Sequence, residues 1–285
     1  MKKWIIGARV RTLPAAIAPV LVGTVYANSI NWINAALALI VSLFLQIAVN
    51  YANDYSDGVR GSDANRVGPI RLVASGLASA KSVKNASLLS FAIAAISGVF
   101  LAINVSYWLV AVGAISIWAA WGYTGGKKPY GYFGFGEISV FVFFGLVATI
   151  GSYYVQTQQI NWQIILLSFP IGSLSCAILS VNNLRDLPED TKVGKRTLAV
   201  QIGEENSRRF FIFLVASSQV LAISTGFINK FAFVTALCLP LTFQVAKRVS
   251  SGAVGPDLIL VLKKTANLQL FMAVLLACAF VIQKG

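Results

Sequence analysis

Apolar stretches such as 33–49, 138–155 and 266–282 run close to the ~20 residues that an α-helix needs to cross a bilayer. A chain built from repeated stretches of this kind has few options, because lipid offers no partner for an unpaired backbone N–H or C=O and leaves helices or closed barrels as the spanning structures. Composition agrees. The 285 residues are 57% hydrophobic and only 12% charged, against roughly 25% charged in soluble domains. The apolar run after Arg11 continues without a convincing cleavage site, so it reads as a retained first helix rather than a signal peptide. Cys176, Cys238 and Cys278 lie inside apolar segments without paired spacing, which predicts buried structural thiols and neither disulfides nor a zinc site.

The net charge of +13 is explained by where the charges fall rather than by a nucleic-acid partner, for which no matching module is present. Of the 23 basic residues, 21 gather in five clusters, around 2–11, 60–84, 127–128, 185–209 and 247–264. The mostly apolar tracts between clusters are long enough for two crossings with a tight turn, so each cluster returns to one side of the membrane. The intervening turns fall near 28–31, 104–106, 156–161 and 229–230 and hold only Lys230. Four helical hairpins and a last helix make an all-α, polytopic bundle of nine transmembrane helices forming one domain over 1–285. Since Lys and Arg collect on the cytoplasmic side, the N-terminus is expected inside.

All ten carboxylates fall on that same side, and six of them occupy the stretches 50–63 and 182–190. Residues three or four apart share a helix face, so Asn50, Asn53 or Asp54, and Asp57 form one polar stripe, and Asn182, Asp186 and Asp190 another. Asn183 lies beside the second stripe. Each stripe grows out of an apolar helix, and polar groups are costly in lipid, so both should face the interior of the bundle. Two facing carboxylate clusters in a poorly solvated cavity call for cations between them. Oxygen ligands with no histidine in the chain point to a hard ion such as Mg2+, which takes one or two carboxylates, water and phosphate oxygens. Arg60, Arg66 and Arg71 accompany the first cluster and Arg185, Lys192, Lys195 and Arg196 the second. Carboxylates, metal and cations together describe a diphosphate site facing the cytoplasm. Loop carboxylates such as Asp63, Glu189, Glu204, Glu205 and Asp257 fit solvated positions equally well.

The pattern Asn53-Asp54-x2-Asp57-x5-Asp63, with Asp186-x3-Asp190 far downstream and Tyr123-x3-Lys127 between them, resembles the signature of the UbiA superfamily of intramembrane prenyltransferases. Longer strings, 9–15, 53–73, 130–137 and 194–200, resemble the branch that prenylates 1,4-dihydroxy-2-naphthoate for menaquinone biosynthesis in a bacterial-type cytoplasmic membrane. The resemblance implies nine helices around a central cavity. It also implies that Asn53, Asp54, Asp57, Asp186 and Asp190 hold two Mg2+ ions on a prenyl diphosphate, with Arg60, Lys127 and Lys192 neutralising it and Tyr123 nearby. Arg185 precedes Asp186 here, a departure from the usual order. An allylic cation formed in such a site needs apolar or aromatic shielding, for which Trp118, Trp121, Phe141, Phe143 and Phe144 are candidates. The carboxylate of the naphthoate acceptor would find a partner in Arg9, Arg11 or Arg71.

Three rival readings stand beside this one. A prenyltransferase of the same superfamily with another aromatic acceptor differs only in a few pocket side chains. A cation-coupled transporter would place its carboxylates nearer the midplane of the bilayer. A CDP-alcohol phosphotransferase would keep its aspartates within one continuous motif, whereas the partner pair here is more than a hundred residues away.

Overall fold

The computed structural model describes residues 2–61, 68–126 and 128–284. Among these, every regular element is helical. The principal helices are α1 (Lys2–Ala8), α2 (Pro14–Tyr26), α3 (Trp32–Arg60), α4 (Ala80–Asn104), α5 (Trp108–Thr124), α6 (Gly136–Thr157), α7 (Trp162–Lys192), α8 (Leu198–Phe227), α9 (Lys230–Ser250) and α10 (Pro256–Lys284). Seven of the described helices are long and apolar enough to cross a membrane. The bent pair Lys2–Thr12 and Pro14–Tyr26, broken by 55°, passes the same test as one span, and α5 is a shorter apolar helix.

The turns fall where polar residues interrupt the apolar runs, because a helix end leaves backbone groups that need partners. Asn31 accepts from the backbone N–H groups of Ile33 and Asn34 at the start of α3, Asn161 from Ile164 at the start of α7, and Asn229 from Phe231 at the start of α9. At the other end of α3, Gly61 closes the helix with φ of 72°, a left-handed conformation that glycine adopts without a Cβ clash.

α3 packs along α4, α7 along α8, and α2 lies against α6 and α10. The main apolar core forms around α7, where Leu167, Ile171 and Leu174 are fully buried with Phe211 of α8 and Leu268 and Met272 of α10. α6 is π-helical over Phe141–Val147. At that point Gly145 meets Gly172 of α7, where a Cβ on Gly145 would lie 2.6 Å from the Gly172 Cα. Glycine on both helices lets the backbones touch, and the widened turn carries Phe143 and Phe144 into an internal cavity. Phe141 instead packs edge-on against Phe169, Trp118 is 76% exposed on the outer face, and Trp121 packs against Phe91. Two of the five aromatic candidates therefore line the cavity. Cys176 and Cys238 are buried as expected, whereas Cys278 is exposed, because it falls on the outward face of α10.

Candidate active site

The cavity, of about 330 Å³, runs along α3 from Ala38 to Asp57 and takes its other walls from α2, α4, α5, α6 and α7. Its length is apolar, with Val41, Leu45, Leu101, Val112, Phe144 and Val147 among the lining residues, while its head is polar. Asn50, Asn53 and Asp57 reach the head from α3, and Asn182, Asn183, Asp186, Glu189 and Asp190 reach it from α7. Both predicted stripes thus face one chamber, at the ends of the helices where charged loops begin.

Asp57 is the junction of the site. Its Oδ1 accepts from the Lys195 ammonium at 3.0 Å and from the Tyr132 hydroxyl, and its Oδ2 lies 3.8 Å from the Arg71 guanidinium. Lys195 Nζ also stands 3.7 Å from Asp190 Oδ1, so one ammonium lies between carboxylates of the two stripes. Tyr132 receives Lys195 over its ring at 4.6 Å and Arg60 at 5.2 Å. Burial and the charge of Asp57 push the Tyr132 phenol up to about 12, against the pull of Lys195 and Arg60, so it remains a hydrogen-bond donor throughout the physiological range. Burial lowers the Lys195 ammonium, but Asp57, Tyr132 and Asp190 outweigh that effect and leave it above its ordinary value.

The other predicted residues divide by position. Of the two alternatives for the first stripe, Asn53 lines the chamber and Asp54 faces the loop after α3, where its two oxygens accept from the backbone N–H groups of Leu72 at 2.8 Å and Val73 at 3.0 Å. It is 1% exposed, and the loop it holds carries Arg71 into the cavity. Asp186 is gripped by its neighbour, with Arg185 Nε donating to Oδ1 at 2.8 Å and a terminal nitrogen to Oδ2 at 2.9 Å. Asn183 lines the cavity while donating to buried Glu137 at 2.9 Å. Tyr123 lines the wall against Tyr130.

Arg60 does not line the cavity. It ties down the turn after α5 by donating to the carbonyls of Thr124 and Gly126 at 3.0 and 2.6 Å. Lys192 points outward and pairs with Glu189 at 2.7 Å, and Arg11 lines a separate cleft with Arg9, Arg185 and Lys263. Asp63, Arg66 and Lys127 lie outside the described residues. The sequence pattern gives no role to Tyr132 or Glu137, although both stand in the string 130–137, and does not distinguish Lys195 from its basic neighbours; its place between the carboxylates does.

Residues 16–252 match the UbiA prenyltransferase family. The chain belongs to the UbiA prenyltransferase family. Among UbiA relatives it is 46% identical to the 1,4-dihydroxy-2-naphthoate octaprenyltransferase of Mycobacterium tuberculosis, over 97% of this chain and 96% of the relative. It is 36% identical to the 1,4-dihydroxy-2-naphthoate octaprenyltransferase of Haemophilus influenzae, over 99% and 96%. The UbiA fold is matched by the apo structure of a UbiA homolog from Aeropyrum pernix K1, with a TM-score of 0.73 at 15% identity over 96% of this chain and 98% of that one. A UbiA homolog from Archaeoglobus fulgidus bound to GPP and Mg2+ gives a TM-score of 0.72 at 13% identity over 98% and 99%.

The donors in this UbiA chamber suit a hard cation: they are oxygens of Asn53, Asp57, Asp186 and Asp190 from two helices. Among the described residues no three acidic or sulfur side chains converge closely enough to cage a metal by themselves. An ion held here would complete its shell with water and phosphate oxygens, as Mg2+ does and as the all-protein cages of Ca2+ or Zn2+ do not.

Proposed function

We propose that this chain transfers a polyprenyl group from prenyl diphosphate to 1,4-dihydroxy-2-naphthoate with loss of the acceptor's carboxylate as carbon dioxide, giving a demethylmenaquinol for menaquinone biosynthesis. One observation carries the reading: aspartates from two helices meet Arg71 and Lys195 at the polar head of a long apolar chamber, in a chain whose full-length relatives bear that acceptor's name. A diphosphate fits the head and an isoprenoid tail the apolar length.

Asn53, Asp57, Asp186 and Asp190 would hold the Mg2+, two ions in this reading, and the metal would supply positive charge to the leaving diphosphate. Asp54 supports this set through the loop that carries Arg71. Arg71 and Lys195 bind the diphosphate as its bond to the allylic carbon breaks, and donors aimed at developing charge stabilise the transition state more than the ground state. Phe143, Phe144 and the apolar wall keep water from the allylic cation. The acceptor's ring carbon supplies the electron pair for the new carbon–carbon bond. The carboxylate on that carbon then leaves as carbon dioxide and returns its electron pair to the ring, so no proton need be taken up. Arg9, which lines both the chamber and the adjoining cleft, is placed to hold that carboxylate at the mouth.

The same reading makes the chain one domain of nine crossings in a bacterial-type cytoplasmic membrane, with its N-terminus and active site on the cytoplasmic face. Seven long helices and the bent N-terminal pair among the described residues support that reading, with the shorter apolar α5 as the ninth crossing, and the clustering of Lys and Arg supports the orientation.

Purified protein in detergent with Mg2+, a prenyl diphosphate and carboxyl-labelled 1,4-dihydroxy-2-naphthoate provides the test. Labelled carbon dioxide released together with a prenylated naphthoquinol is the expected outcome, dependent on Mg2+. Turnover with hydroxybenzoate alone would overturn the acceptor and keep the diphosphate site; transport of an ion without loss of diphosphate would overturn both.

A further inference from the structure

Two carboxylates from different helices share one ammonium. Lys195 Nζ stands 3.0 Å from Asp57 Oδ1 and 3.7 Å from Asp190 Oδ1, with the Tyr132 ring 4.6 Å away and its own side chain 11% exposed at the cavity surface. The backbone that carries it is fixed. Lys195 N–H donates to the Asp190 carbonyl at 2.9 Å, and Arg196 N–H donates to the Tyr132 carbonyl at 2.9 Å. Only the side chain can travel, and a lysine stem is suited to that: a flexible four-carbon arm ending in a compact charge with three rotatable donors. Arg71, the other cation beside Asp57, sits on the loop held down by Asp54 and is 8% exposed.

The carboxylates that Lys195 approaches, Asp57 and Asp190, are among the donors that the metal–diphosphate reading gives to a divalent ion. An ammonium and a dication cannot share the gap between Asp57 and Asp190, because like charges at such a distance repel strongly in a poorly solvated cavity. Resting on the metal–diphosphate reading above, we infer that Lys195 competes with the metal for Asp57 and Asp190 and exchanges these carboxylates for the diphosphate when substrate binds. It thereby acts in opposite directions on two ligands. It weakens binding of the metal alone and strengthens binding of the diphosphate in the metal's presence, so the two arrive together. Lys192, three residues earlier, does not line the cavity and pairs with Glu189 from an exposed side chain, so it has no such position.

The full-length protein in detergent tests this with Mn2+ as the metal probe, followed by electron paramagnetic resonance, and with inorganic pyrophosphate as the second ligand, followed by calorimetry. Lys195→Met and Lys195→Gln are compared with the wild type after size-exclusion chromatography. The expected result is Mn2+ binding alone that is tighter by about ten-fold or more in the variants, with pyrophosphate binding in the presence of Mn2+ weaker by a similar factor. Lys195→Gln keeps a polar side chain and carries the test if Lys195→Met does not fold. Unchanged or weaker Mn2+ binding would overturn the exchange, since a purely structural lysine would weaken both ligands together; so would unchanged pyrophosphate binding. A wild type that binds no Mn2+, with or without pyrophosphate, would overturn the metal–diphosphate reading itself and this role with it.

Discussion

The two aspartate stripes lie on helices in opposite surroundings. Only 17% of the apolar window of α3 is buried, against 78% for α7, because α3 divides its faces among lipid, the cavity and α4 while α7 runs through the core. The carboxylates differ accordingly. On α3, Asp54 belongs to the backbone of a loop and Asp57 to a cluster of residues distant in sequence; on α7, Asp186 lines the chamber while clamped by Arg185 of its own helix, and Asp190 lines it beside Lys195. Asp54 therefore orders a loop, whereas Asp57, Asp186 and Asp190 line the chamber, although all four match as motif letters. Helices in lipid gain little from hydrophobic association with one another, so an exposed helix such as α3 is held in register by polar anchors at its end.

Removing the groups that both helices present to the chamber should cost most. Asp57→Ala and Asp190→Ala are each expected to lower kcat/KM by about 10³-fold, with the protein still monodisperse in detergent; near-normal turnover in either would break the symmetry between the stripes. Asp54→Ala should separate from these by its effect on folding. Losing two hydrogen bonds to a buried carboxylate should destabilise by about 3 kcal/mol, seen as a lower denaturation midpoint, with Asp54→Asn recovering part of the loss.

The ion pair joining the stripes has a pH signature. Lys195 is held above its ordinary value, so its stabilising contribution is fully present below about pH 10.4 and is lost as pH rises through the higher folded value. The gap in thermal midpoint between wild type and Lys195→Met should be flat from pH 7 to about 9 and close above about pH 10.4. A gap that closed already near neutrality would remove the pairing. The smallest effect belongs to Lys192, whose side chain is 68% exposed. Lys192→Ala should change stability by less than about 1 kcal/mol and turnover far less than Lys195→Met does, although the two lysines read alike in the sequence.

Apolar runs of spanning length and basic clusters at their ends are local properties, and so is the helical spacing that aligns Asn50, Asn53 or Asp54, and Asp57, or Asn182, Asp186 and Asp190. The sequence by itself therefore determined an all-helical membrane protein, the turns near Asn31, Asn161 and Asn229, and two oxygen-rich stripes turned inward, because hydropathy and a period of 3.6 act within one helix. Only the tertiary structure decided that Asp54 serves the loop while Asp57 serves the chamber. It also decided that Tyr132 and Lys195, which lie 75 and 138 residues from Asp57 along the chain, complete the cluster while Arg60 and Lys192 turn elsewhere. Those assignments depend on where distant loops land once the helices have packed, and no periodicity along the chain encodes that meeting.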